Sequence, residues 1–182
     1  MRRDAERNRR RILDAAAEVF GDRGVVGSTE EVARQAGVGI ATVFRHFPTK
    51  EALVEEALLR HFADVQEQAV ALADDPDPGH ALHALLTTMI STGGNKLTLA
   101  GVLGDPSDPP PRVLEAAQSL RVPVATVLER AQSAGVADPA ITVDDLYFLL
   151  GGLAQAAASS RPRPPTVSRS VDVLWRGLAP PP

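Results

Sequence analysis

The chain has 182 residues, a formal net charge of -4 and no cysteine. That length suits one domain or two small ones with a real core, and the missing cysteine excludes disulfides, thiolate metal sites and cysteine nucleophiles. No apolar run approaches the roughly 20 residues that cross a bilayer, and the charged start lacks the apolar core of a signal peptide, so a cytoplasmic, non-membrane protein is expected. The charge is unevenly spread. Residues 1–50 hold ten Arg and Lys against seven Asp and Glu, a net +3, whereas residues 51–182 hold nine against sixteen, a net -7. A basic end on an acidic body suggests one nucleic-acid-facing region.

Arg2, Arg3, Arg7, Arg9, Arg10 and Arg11 crowd the first eleven residues. They read either as a solvated terminus or as an arm lying against phosphates or in a minor groove. From about Asn8 to Phe20, the apolar residues Ile12, Ala16, Val19 and Phe20 share one helical face, and Gly21 and Gly24 close the element. Ser28-x-x-Glu31 is a capping box, in which the serine accepts from the Glu31 amide while the glutamate accepts from the Ser28 amide. Val32, Ala33 and Ala36 follow at helical spacing, and Gly37 stops the helix because glycine turns left-handed without steric cost. A second run, Ile40 to Phe47, ends at Pro48. Two short helices joined by a glycine-containing turn make a helix-turn-helix, whose second helix can enter a DNA major groove.

Thr49 can cap a long helix reaching about Ala73, with Leu53, Ala57, Leu58, His61, Phe62, Val65, Ala69 and Leu72 as its stripe. DDPDPG (74–79) is a turn cluster. His80 to about Thr92 reads as a helix broken by Gly93-Gly94, with Lys96–Leu103 a separate short helix or helical turn and 104–111 a loop. Arg112 to Ala134 reads as one helix kinked at Pro123. Thr142-x-x-Asp145 opens another capped helix, carrying Leu146, Phe148, Leu149, Leu150, Leu153, Ala154 and Ala157. After a loop at 159–165, a last helix from about Thr166 to Gly177 carries Val167, Val171, Leu174 and Trp175. No convincing alternating segment appears, so the expected fold is all-α. It divides into a three-helix helix-turn-helix domain over residues 1–50 and a helical domain over residues 51–182.

RRRILDAAAEVFGDRG (9–24) followed by STEEVARQAGVGIATVFRHFPTKEAL (28–53) resembles the tetracycline-repressor (TetR) family of transcriptional regulators. The resemblance implies a DNA-binding regulator, most simply a homodimeric repressor released from a pseudo-palindromic operator by a small molecule. Thr29 stands at the amino end of the first motif helix, where a hydroxyl and free amides can meet a phosphate. Gly39, Ile40, Ala41 and Thr42 form the amino end of the recognition helix. Thr42 can bond a base edge, and Ile40 or Ala41 can touch a thymine methyl. Arg45 is long enough for a guanine or a phosphate, and reads equally as a solvated charge. His46 and Lys50 fall where the family contacts phosphate. Phe44 stands where the family usually carries tyrosine, and without a hydroxyl it can pack on sugar but not bond phosphate.

The resemblance further implies that the last two helices, about 142–160 and 166–177, pair with their twofold mates. A ligand pocket would lie among the middle helices, with His83, Met89, Leu97, Leu99, Val102, Leu120, Val124 and Tyr147 as candidates. Their apolar character favours an apolar effector. No G-x-S-x-G, P-loop, dinucleotide fingerprint or H-E-x-x-H occurs, so neither catalysis nor a cofactor or metal is expected. A helical protein-interaction module that keeps the motif without DNA affinity is the competing reading.

Overall fold

The computed structural model describes residues 2–105 and 108–180, with the side chains of Arg2 and Arg3 outside that description. Pro106 and Ser107 of the predicted 104–111 loop and the last two residues of the proline-rich tail also lie outside it. The described residues form nine α-helices and a 3-10 turn, with no strand: the chain is all-α. In order these are α1 Arg2–Arg23, the turn Gly24–Val26, α2 Thr29–Ala36, α3 Ile40–His46, α4 Lys50–Ala73, α5 Pro78–Val102, α6 Pro111–Ser119, α7 Arg121–Ser133, α8 Val143–Ser160 and α9 Pro164–Gly177. The chain divides into two compact units, Met1–His61 with Asn95–Leu114, and Phe62–Gly94 with Glu115–Pro182.

In the first unit, α1 packs on α2 and α2 on α3. Ile12, Ala16, Phe20, Val32, Val43, Leu53 and Val54 are fully buried in it. The start of α2 is built as its sequence demands: Ser28 Oγ accepts from the Glu31 amide at 3.2 Å, and Glu31 Oε2 accepts from the Ser28 amide at 3.1 Å. Gly37 ends the helix in the left-handed region at φ 63° and ψ 40°, where a side chain would be strained. At the next helix start, Thr49 Oγ1 accepts from the Ala52 amide at 3.1 Å.

The second unit buries Leu82, Leu85, Leu86, Val124, Val127, Leu128, Leu146, Leu150 and Val171. α8 opens with the predicted cap, Thr142 Oγ1 accepting from the Asp145 amide at 3.1 Å while Asp145 Oδ2 accepts from the Thr142 amide at 2.9 Å. Arg130 of α7 donates to the carbonyls of Ala73 and Asp75 at 2.5 and 2.7 Å. It thereby satisfies acceptors that the end of α4 leaves open.

Four boundary expectations are corrected. α1 already starts at Arg2 instead of about Asn8, so the basic segment is helical, and it runs through Gly21 to Arg23. Gly93-Gly94 does not break α5, which continues to Val102. Their missing Cβ atoms make room for α8: a Cβ on Gly93 would lie 2.8 Å from Ala154 Cβ, and one on Gly94 3.1 Å from Ala157 Cβ. Arg112–Ala134 is two helices, not one kinked helix. Pro123 cannot donate to the Ser119 carbonyl, and in the first turn of α7 its missing N–H costs nothing. α9 begins at Pro164 rather than about Thr166, because prolines are preorganised for a first helical turn.

Candidate nucleic-acid interface

The face of α3 is set by one apolar pair. Val43 and Phe47, four residues apart, are buried at 0% and 2% exposure, which turns the opposite side of the helix outward. Gly39, Ile40, Ala41, Phe44 and Arg45 are exposed there, with Thr42 and His46 half-buried at its margins. Nothing lies within 4 Å of where a Gly39 Cβ would stand, and the backbone at Gly39, φ -71° and ψ 148°, is open to any residue. Neither strain nor crowding therefore explains the glycine. Phe44 is 44% exposed and Ile40 37%. An exposed apolar pair beside Arg45 suits a surface that meets sugars and methyl groups as well as phosphates.

Thr29 and Lys50 sit differently from the exposed set. Thr29 is the first residue of α2 and only 8% exposed, its hydroxyl donating to Glu30 Oε2 at 3.4 Å. The Lys50 ammonium donates to the carbonyls of Val25 and Gly27, both at 2.7 Å, and lies 5.1 Å from the centre of the Phe20 ring. It ties the first residue of α4 to the turn after α1.

Sequence reasoning missed Arg9 as a support of this unit. Its guanidinium stands 5.3 Å from the centre of the Phe47 ring and pairs with Glu56, whose other oxygen takes Arg112 at 2.9 Å. Arg9 is visible in sequence as part of a basic run, but only folding brings α1, α4 and α6 to one place. Val25 and Val26, 66% and 73% exposed, were likewise not singled out.

The effector candidates separate. Leu97 and Val102 belong to the first unit, and His83, Met89, Leu120, Val124 and Tyr147 to the second. Leu120, Val124 and Leu99 are core at 5%, 0% and 2% exposure, whereas His83, Met89, Leu97, Val102 and Tyr147 are partly exposed. The Tyr147 hydroxyl is buried with no hydrogen-bond partner, and Arg121 stands 5.0 Å from the centre of its ring. Burial pushes the phenol above its usual pKa, with Arg121 opposing more weakly. Among the described residues no group of three or more His, Asp or Glu is placed to hold a metal ion. No helix among them is long and apolar enough to cross a membrane.

A capped helix, a left-handed glycine turn and a second short helix with a solvent-facing polar and apolar surface define a helix-turn-helix DNA-binding protein. Residues 12–57 match the bacterial regulatory proteins of the tetR family, and residues 77–180 match the SbtR-like transcriptional regulator C-terminal domain. The chain belongs to the TetR family of transcriptional regulators. The structure of a TetR transcriptional regulator from Streptomyces coelicolor is similar with a TM-score of 0.78 and 29% identity, over 96% of this chain and 99% of that one. A TetR regulator from Mycobacterium vanbaalenii gives 0.77 and 30%, over 98% of both chains. An HTH-type transcriptional regulator of Staphylococcus aureus is 33% identical over 75 residues, so the match spans only 40% of that relative's length.

Proposed function

We propose that the chain is a homodimeric repressor that a small molecule releases from a pseudo-palindromic operator. The observation that carries this reading is the outward face of α3, with Ile40, Ala41, Phe44 and Arg45 exposed around a buried Val43–Phe47 pair. Gly39 leaves the edge of that face open to close approach, while Thr42 and His46 flank it. In this reading Gly39, Ile40, Ala41, Thr42, Phe44 and Arg45 meet the major groove. Thr29, His46 and Lys50 meet phosphates, and residues 1–50 act as the DNA-binding domain.

Dimerisation is read from α8 and α9 within residues 51–182. Phe148 is 82% exposed, Leu149 41% and Val173 62%, and nothing approaches the missing Cβ atoms of Gly151 and Gly152. A large exposed aromatic beside small residues is what a helix-to-helix partner face needs. A single recognition helix reads only a few base pairs, so two copies about one turn of DNA apart supply useful specificity. The effector reading centres on His83, Met89, Leu120, Val124 and Tyr147 of the second unit, with Leu97 and Val102 as the candidates in the first. The unpartnered Tyr147 hydroxyl is a group that a bound molecule would satisfy. A shift of α4 between Lys50 and Leu59 would carry the effect to the recognition helices.

The test is selection of bound DNA from a random pool, then mobility shift over a salt series. A palindromic consensus, bound with an affinity that falls steeply with salt, is expected. No salt-sensitive complex at about micromolar protein would instead favour the interaction-module reading, since even non-specific binders reach that range.

A further inference from the structure

α5 and α9 enclose an open cleft of about 440 Å³ in the second unit, lined by His83, Thr87 and Ser91 of α5, Pro162 of the connecting loop, and Pro164, Val167, Ser168, Val171 and Asp172 of α9. That volume is within the range of small-molecule sites. Its chemistry leans towards acceptors. The Thr87 hydroxyl donates to the His83 carbonyl at 2.8 Å and the Ser91 hydroxyl to the Thr88 carbonyl at 3.1 Å, so both offer a ligand their lone pairs. Asp172 adds a carboxylate, with Oδ1 3.8 Å from His83 Nε2. No Lys or Arg lines the cleft among the described residues; Arg161 and Arg163 flank Pro162 in the loop without lining it. Pro162, Pro164, Val167 and Val171 supply the apolar part.

We propose that this α5–α9 cleft binds a small organic cation with an apolar body. The cation sits at Asp172, in a lining that also carries the Thr87, Ser91 and Ser168 oxygens, and the body covers the prolines and valines. Anions are disfavoured, because the lining holds the Asp172 carboxylate and no Lys or Arg, leaving the His83 ring and the Ser168 hydroxyl as its side-chain donors. Apart from His83 the site shares no residue with the effector lining proposed above, and binding here does not depend on that reading. At 3.6 residues per turn, the cleft residues of α9 lie from about 100° (Asp172) to about 180° (Pro164) around the helix from Val173, away from the side on which a second copy is read to sit.

The chain's one tryptophan, Trp175, stands edge-on to the His83 ring with centroids 5.5 Å apart, so it reports on the cleft. The full chain is titrated with benzyltrimethylammonium, benzyl alcohol and phenylacetate, following tryptophan fluorescence and calorimetric heat. Saturable binding is expected for the ammonium ion alone. Asp172→Asn should weaken it about fivefold, in line with a partly exposed charge pair. Ser168→Lys, at an exposed position, should abolish it by placing an ammonium group in the cleft; circular dichroism verifies that both variants fold. No saturable signal from the ammonium ion up to about 10 mM overturns the proposal, since weaker binding is not a site. Equal binding of benzyl alcohol, or unchanged affinity in both folded variants, overturns it as well.

Discussion

Lys50 commits two of its three ammonium protons to the carbonyls of Val25 and Gly27, across 25 and 23 residues of sequence. Such charge-assisted bonds are worth more than neutral ones, and their loss leaves two carbonyls to water. Lys50→Ala should therefore lower stability by about 1–2 kcal/mol, read as a drop in the urea midpoint. Weaker DNA binding by this variant would not by itself assign a phosphate contact. The salt slope would, because each lost contact flattens it by about one. Asp145 gives a pH signature at the same scale. Bonds from the Thr142 side chain and then its amide hold the carboxyl below the ordinary aspartate value, against a smaller opposing effect of burial. A folded-state pKa below the unfolded one stabilises above the unfolded value and stops doing so as pH falls through the folded one. The thermal midpoint of the wild type should exceed that of Asp145→Ala at neutral pH, and the gap should close below pH 3.8. A gap that persists into that acid range would remove the carboxylate from the account.

Helices α5 and α8 approach closely because α5 carries glycine opposite alanine. A methyl group on Gly93 would sit 2.8 Å from Ala154 Cβ, inside any real contact distance, and the obstacle is the base of a short side chain that cannot swing away. Alanine is the better helix former by about 1 kcal/mol, but the overpacking costs about 1–3 kcal/mol. Gly93→Ala should thus destabilise in a denaturant titration, and adding Ala154→Gly should recover most of the loss, a coupling that a double-mutant cycle measures. At the same scale, α3 owes its outward face to orientation more than composition. Its seven residues expose Ile40, Ala41, Phe44 and Arg45 because Val43 and Phe47 are drawn into the core, with Arg9 over the Phe47 ring.

For the whole molecule, Phe148 offers the clearest test of assembly. At 82% exposure it contributes little to the core, so Phe148→Arg should leave the fold intact. It should convert a dimer to a monomer in sedimentation and lower affinity for a two-half-site operator more than for a single half-site. A variant that remains dimeric would move the partner face elsewhere. The split of charge along the chain fits the same picture, with the net +3 of residues 1–50 beside the net -7 of the remainder.

The features legible in the amino-acid order are those that close within three or four residues: the Ser28–Glu31 and Thr142–Asp145 capping boxes, the left-handed Gly37, and the Val43–Phe47 spacing that orients α3. A bond from i to i+3 is written in adjacent letters, so the helix-turn-helix and the all-helical class could be read directly. Folding decided whatever depends on a distant neighbour. Gly93-Gly94 reads as a breaker until Ala154 and Ala157 lie against it, Lys50 reads as a phosphate contact until the carbonyls of Val25 and Gly27 accept two of its hydrogen bonds, and Arg9 reads as part of a terminal arm until Phe47 and Glu56 meet it. The cleft belongs to the same class, since its acceptors come from α5 and α9 and only their packing makes them one surface. Local hydrogen bonding is a property of sequence; which side chains share a volume is a property of the packed chain.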